Sequence, residues 1–202
     1  MLLDNKNFHK SVLLDEVITN LEVCDNKVYV DGTFGAGGYS RAILSKADCT
    51  LYAFDRDLTV EKFANNLRDE FSGRFNFIHD KFSNMKNSLE NIGVKEVDGI
   101  VLDLGVSSMQ LDEDDRGFSF NSKARLDMRM DNSTGISAFD VVNHKSEKEL
   151  SDIIRNFGED RKHRQIAKNI IKHRERVEIN TAIELANIIR EVYGKYNPKK
   201  ID

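Results

Sequence analysis

In the first half of the chain, short apolar runs alternate with stretches of helical spacing. Val28, Tyr29 and Val30 carry no charge until Asp31, which predicts a short buried parallel strand over 28–31. A second run over 50–55 ends in Asp55, and residues 75–78 and 99–104 predict a third and a fourth strand. Between them lie predicted helices at 39–46, 58–70 and 84–92, with Phe63 and Leu67 four apart on one face. A further helix at 12–21 precedes them all, with Leu13, Val17 and Leu21 on one side. This alternation implies βα units and a parallel sheet whose ligand edge collects the C-terminal strand ends. Asp31, Asp55, Asp80 and Asp103 fall at or just beyond those ends.

After Leu104 the pattern changes. Residues 105–135 mix acids, glycines and serines without steady periodicity, which predicts an ordered loop crossing the ligand edge. Helices follow. Ser146 with Glu149 predicts a capping box for a helix reaching about Phe157, and Thr181 with Glu184 predicts another for the run Ile183, Leu185, Ile188, Ile189 and Val192. Between them runs a basic helix seamed by Ile166, Ile170 and Ile171. Pro198 marks the end of regular structure. The predicted organisation is therefore a cofactor-binding core over 1–105, a helical subdomain over 106–196 and a short tail over 197–202. Four strands are few for such a sheet, which predicts either an edge covered by the helical part or an incomplete core.

Charge sharpens the division. The 202 residues carry a net charge of -4, but 1–154 hold 18 Lys and Arg against 27 Asp and Glu, whereas 155–202 hold 12 against 7. The excess concentrates in Arg161, Lys162, Arg164, Lys168, Lys172, Arg174 and Arg176, a set that would attract phosphates or form a solvated helix face. A hydrophobic content of 40% supports a real core, and no apolar run approaches the roughly 18 residues of a membrane span. Cys24 and Cys49 are too few and too isolated for a disulfide framework or a zinc site, and both read as small core hydrophobes. The five histidines are scattered and predict no metal site. A cytoplasmic enzyme fits these features.

The segment VDGTFGAGGYS, from Val30, supplies the first candidate chemistry. Its glycines let the backbone turn sharply and approach a ligand, and the helix that follows points free amides over the turn. A dinucleotide fingerprint would need a glycine where Ser40 stands, and a phosphate-binding P-loop would need a Lys-Ser or Lys-Thr that is missing. S-adenosylmethionine fits better, with another nucleotide cofactor or a purely structural turn as the alternatives. In that reading Asp31 orients the turn or faces the methionine end, and Gly37, Gly38 and Tyr39 shape the pocket. Asp55 takes the ribose hydroxyls, and Asp80 or Phe82 lies beside the adenine. Asp103 is the catalytic candidate, because a carboxylate that accepts N–H bonds from an exocyclic amine favours a pyramidal, nucleophilic nitrogen. Gln110 would hold the methionine end or the target base, and Ser107 and Ser108 would add hydrogen bonds. In 116–131, Phe118 and Phe120 interleave with Arg116, Arg125 and Arg129, a mix suited to stacking a base while gripping phosphates.

Longer motifs carry a resemblance. HKSVLLDEV from His9, VDGTFGAGGYS from Val30, AFDRD from Ala53, DGIVLDLGVSSMQLDEDDRGFSF from Asp98 and LDMRMD from Leu126 closely resemble the bacterial RsmH (MraW) family. FGEDRKHRQIAKNII and the ELANIIREV helix extend the likeness along essentially the whole chain. That family comprises S-adenosylmethionine-dependent methyltransferases acting on the N4 amino group of a cytidine in 16S ribosomal RNA of the small subunit. The resemblance implies an α/β fold, a class I methyltransferase (Rossmann-like) core with an inserted helical subdomain that helps recognise RNA. It implies Gly37, Gly38, Tyr39, Asp55, Phe82, Asp103 and Gln110 as the cofactor-contacting set, no metal, and the small ribosomal subunit as partner. Two departures stand out. Tyr39 replaces the histidine usual in GGHS, and the family continues past NPKKID into closing strands. These departures leave room for a homodimer, for a second polypeptide that completes the core, or for a non-catalytic remnant that still binds cofactor or RNA.

Overall fold

The computed structural model describes residues 11–107 and 116–194, which fall into two compact units divided at Val106 and Ser107. In the first, α1 (Leu14–Asn20) leads into β1 (Val28–Asp31), α2 (Gly38–Lys46), β2 (Thr50–Asp55), α3 (Glu61–Glu70), β3 (Phe75–His79), α4 (Met85–Asn91) and β4 (Gly99–Val101). All strand pairs are parallel and the spatial order is β3-β2-β1-β4. This is a Rossmann-like parallel sheet, the core that the sequence pattern leads one to expect. The chain steps outward from β1 to β3 and then returns to β1's other side, so the order reverses between β1 and β4. In open α/β sheets that reversal opens a crevice at the carboxyl ends of the strands.

The central strand is buried from Tyr29 to Asp31, as expected where both faces are covered. Val30, Phe54 and Leu89 pack on one face with Ile78 and Met85 around them. Arg74 closes the bottom of the unit, donating to the Leu44 and Ala47 carbonyls. β4 is shorter than the sequence pattern predicts. Its ladder ends at Val101, and Leu102 and Leu104 leave it with exposed side chains, because the backbone turns there to deliver Asp103. Leu13 is also exposed, in a left-handed conformation ahead of α1, a helix with no buried residue. Cys49 is buried as expected, but Cys24 is exposed, its thiol donating to the Glu22 carbonyl just after α1.

The second unit contains α5 (Ala138–His144), α6 (Glu147–Gly158), α7 (His163–Arg174) and α8 (Ala182–Tyr193). Three of these helices begin with a full capping box: Ser137 with Asp140, Ser146 with Glu149, and Thr181 with Glu184. The sequence pattern predicts the last two. The first, and with it α5, is not anticipated, since Asp at the third position is a weaker signal than Glu. Leu126, from the irregular segment before α5, is fully buried among Val142, Leu150, Ile166, Ile170, Ile179 and Ile188. Backbone bonds pin it there, from its N–H to the Asn180 carbonyl (2.7 Å) and from the Phe139 N–H to its own carbonyl (2.6 Å).

Among the described residues, no helix is long and apolar enough to cross a membrane.

Candidate active site

The turn after β1 occupies the crevice where the strand order reverses, and several side chains converge on it. Gly37 sits at φ 81°, a left-handed conformation, and a Cβ there would come within 2.9 Å of the Phe34 ring. A Cβ on Gly38 would overlap the Ser11 hydroxyl, so the chain ahead of α1 lies directly over the start of α2. On the other flank Gly32 admits Leu102, Met85 and Phe82, with Phe82 Cβ 3.3 Å from the position a side chain would take. Phe82 itself is partly exposed at this edge. The turn therefore meets its neighbours through bare backbone.

The four aspartates divide by role. Asp31 is fully buried; it accepts the Ser40 hydroxyl at 2.7 Å and the Thr33 N–H at 3.2 Å. Burial dominates its titration and lifts it to about 6 despite those donors. Asp55 accepts the Gly35 N–H at 2.8 Å on one oxygen and the Asp57 N–H at 2.9 Å on the other. Burial likewise raises its pKa, and those two backbone donors partly offset the effect. Each of its oxygens retains a lone pair for a further donor such as a hydroxyl. Asp80 accepts from the Lys81 N–H, Asn84 Nδ2 and Ser88 Oγ. Burial pushes its pKa up, but these donors win and hold it below the ordinary value. Its carboxylate therefore anchors the turn that carries Phe82.

Asp103 is different. Its own N–H donates to Thr33 Oγ1 at 2.7 Å, which fixes its backbone beside the β1 turn, while its side chain stays exposed. Tyr39, buried at the start of α2, spends its hydroxyl proton on the Val12 carbonyl at 2.6 Å and lies 3.5 Å from Asp103 Oδ2. Burial and the Asp103 carboxylate hold the phenol above its usual range, so it remains neutral at physiological pH.

The structure thus brings Gly37, Gly38, Tyr39, Asp55, Phe82 and Asp103 to one crevice; Ser108 and Gln110 lie outside the described residues. Sequence reasoning missed Thr33, Ser40 and the Val12 carbonyl, which orient the aspartates and Tyr39. A hydroxyl one turn into a helix behind a buried strand carboxylate is the one signal that could have pointed to Ser40.

The arginines of 116–131, expected to grip phosphates, are engaged by the fold to different degrees. Arg116 is buried, donates to the Arg129 and Met130 carbonyls, and stacks over Phe118. Arg129 pairs with Asp127 at 2.7 Å, and Arg125 lies over Phe139. Arg116 and Arg129 are spent in holding an irregular segment, whereas Arg125 and Phe120 stay exposed.

A family model described as the MraW methylase family matches residues 6–202. Among curated relatives, a "Ribosomal RNA small subunit methyltransferase H" from Wolbachia sp. subsp. Drosophila simulans is 50% identical over 194 residues, covering 96% of this chain and 66% of the relative. A protein of the same name from Orientia tsutsugamushi (strain Boryong) is 46% identical over 199 residues, 97% and 63% of the two chains. One from Ehrlichia ruminantium (strain Welgevonden) is 44% identical over 196 residues, 96% and 65%. The chain spans just under two thirds of the length of these relatives.

Proposed function

The chain belongs to the MraW methylase family, and from that premise we propose that it is an S-adenosylmethionine-dependent methyltransferase acting on the N4 amino group of a cytidine in 16S ribosomal RNA. The observation that carries the reading is the crevice at the strand-order reversal, where Asp103 stands exposed beside a turn with no room for a Cβ at Gly32, Gly37 or Gly38. Such a turn suits S-adenosylmethionine, whose nucleoside needs close backbone approach and a carboxylate for its ribose. Gly37, Gly38 and Tyr39 would line it, Asp55 would accept the ribose hydroxyls, and Phe82 would lie against the adenine. Gln110 would hold the methionine end or the target base. When bound, the cofactor supplies a methyl group activated by a positive sulfur.

The chain's residues do the rest. Asp103 accepts an N–H of the cytosine amine, which draws the nitrogen lone pair out of the ring, and takes up the proton that the methylated nitrogen sheds. Thr33 holds the Asp103 backbone in place for this. Tyr39, neutral and bonded to Val12, shields the carboxylate from one side without competing for the proton. The helical unit is the proposed RNA-recognition part, the small ribosomal subunit the proposed partner and the cytoplasm the proposed compartment.

The test has two stages. Calorimetric titration with S-adenosylmethionine measures the pocket, and methyl transfer to undermethylated small subunits, followed by nucleoside mass spectrometry, measures the chemistry. Asp103→Ala is expected to lower transfer by at least roughly 100-fold with circular dichroism little changed; unaltered turnover would remove the assignment.

One observation favours a second reading. β4 pairs over only three residues and leaves Ile100, Leu102 and Leu104 exposed, an edge that no described residue covers and that would suit a second polypeptide or a second copy. If the uncovered edge prevents turnover, the chain binds cofactor or RNA without transferring methyl, and titration succeeds where the transfer assay fails.

A further inference from the structure

Seven cations crowd the sequence of α7 and its flanks, and the fold separates them into two kinds. Lys162 Nζ donates to the Val192 carbonyl at 3.1 Å and lies over the Tyr193 ring, and Arg174 donates to the Val142 carbonyl at 2.7 Å. Both pin α7 to its neighbours. Arg164, Lys168 and Lys172 are exposed, make no hydrogen bond or ion pair among the described residues, and follow one another at intervals of four residues. Each is offset by about 40° from the last, so the three form one stripe along the helix. Arg161 and Arg176, also exposed, extend it at either end. The opposite face is the buried one, Ile166, Ala167 and Ile170.

Among the described residues no acid forms an ion pair with Arg164, Lys168 or Lys172. Asp160 is held by the Lys162 N–H and the Tyr193 hydroxyl, and Glu191 by Asn169 and His173. Glu159, Glu175 and Glu178 are exposed near the two ends of the row, and Glu191, also exposed, lies within electrostatic reach of Lys172. At the end of α6, four residues before Arg161, Phe157 has 86% of its surface exposed. A row of unpaired cations with a bare aromatic beside it is the combination that tracks a nucleic-acid backbone and stacks an unpaired base.

We propose that the outer face of α7, through Arg164, Lys168 and Lys172 with Arg161 and Arg176 flanking, is a binding surface for the RNA phosphate backbone, with Phe157 as a stacking platform. This rests on the RNA reading above but not on the methyl chemistry. Binding there is electrostatic and indifferent to sequence, so it positions a substrate and does not select the cytidine.

The test uses the whole chain and a fluorescein-labelled RNA hairpin with an unpaired loop, titrated across roughly 50 to 200 mM salt. The triple variant Arg164→Ala, Lys168→Ala and Lys172→Ala puts the best helix former at exposed sites, so α7 should persist, as circular dichroism would verify. Its expected effect is an affinity loss of roughly tenfold or more and a salt slope reduced by about 2, from three lost phosphate contacts. A charge-matched control, Lys46→Ala, Lys86→Ala and Lys95→Ala on the sheet unit, should leave both unchanged. Phe157→Ala should weaken loop binding with no change in slope. Equal affinity and slope for the triple variant and the parent overturn the proposal. So does loss of binding to phosphatidylglycerol vesicles with RNA binding intact, which would assign the stripe to a lipid surface. Stripe-dependent RNA binding without any N4-methylcytidine product leaves the surface standing and removes the methyltransferase reading.

Discussion

The two units secure their irregular segments by opposite means. In the sheet unit, the turn after β1 is tied by carboxylates: Asp31 grips Thr33 and Ser40, and Asp55 grips Gly35 and Asp57. In the helical unit, the segment before α5 is held by an apolar plug, Leu126, and by arginines bonded to carbonyls. The carboxylate anchors fix a close-packed turn beside the exposed Asp103, which suits a polar cofactor. The apolar anchor hides its segment and frees the outer face of α7 to carry charge. One unit turns its charge inward to shape a turn; the other turns it outward.

The contrast can be broken most strongly at the plug. Leu126→Ala should cost about 2–5 kcal/mol by removing a fully buried side chain, and the cost should be the same at pH 5 and pH 8. Hydrogen exchange should show lost protection in α5 to α8 with β1 to β3 retained; equal loss in both units would mean that they unfold as one and that the comparison does not hold.

Asp31→Asn should behave differently. The folded-state pKa, about 6, lies above the unfolded value, so the stability from this group is fully present below about pH 4. It is lost as pH rises through 6, and by pH 8 the loss is about 3 kcal/mol. Asparagine does not titrate, so the stability of the parent relative to the variant should decline by that amount over the window. Chemical denaturation at several pH values measures it, and a flat difference would show that the turn is not anchored by a costly buried charge.

The smallest effect is at a cap. Ser146→Ala should cost about 1 kcal/mol of stability. It should also let the Glu149 carboxyl rise from about 2, where Lys145 first and then the Ser146 donors hold it. An NMR titration of Glu149 that does not move would mean that Lys145 and the backbone N–H of residue 146 set its value without the hydroxyl.

Local signals carried much of this. β1 and β2 begin and end where the apolar runs do, and the capping boxes of α6 and α8 start at Ser146 and Thr181, because strand burial and helix entry are decided within a few residues. The early end of β4 and the appearance of α5 were less legible, since the first depends on where the backbone must swing to bond Thr33 and the second on a capping box completed by Asp140.

The sequence by itself determined the alternation of strands and helices, the glycine turn and the aspartates at the strand ends, and the family motifs, because each is written in neighbouring residues. Only the tertiary structure decided which charges are free. Arg116, Arg129, Lys162 and Arg174 look like any other cation in the sequence, yet carbonyls and carboxylates brought close by folding consume them. A side chain's availability depends on partners distant along the chain, and the packing of helices and loops selects those partners.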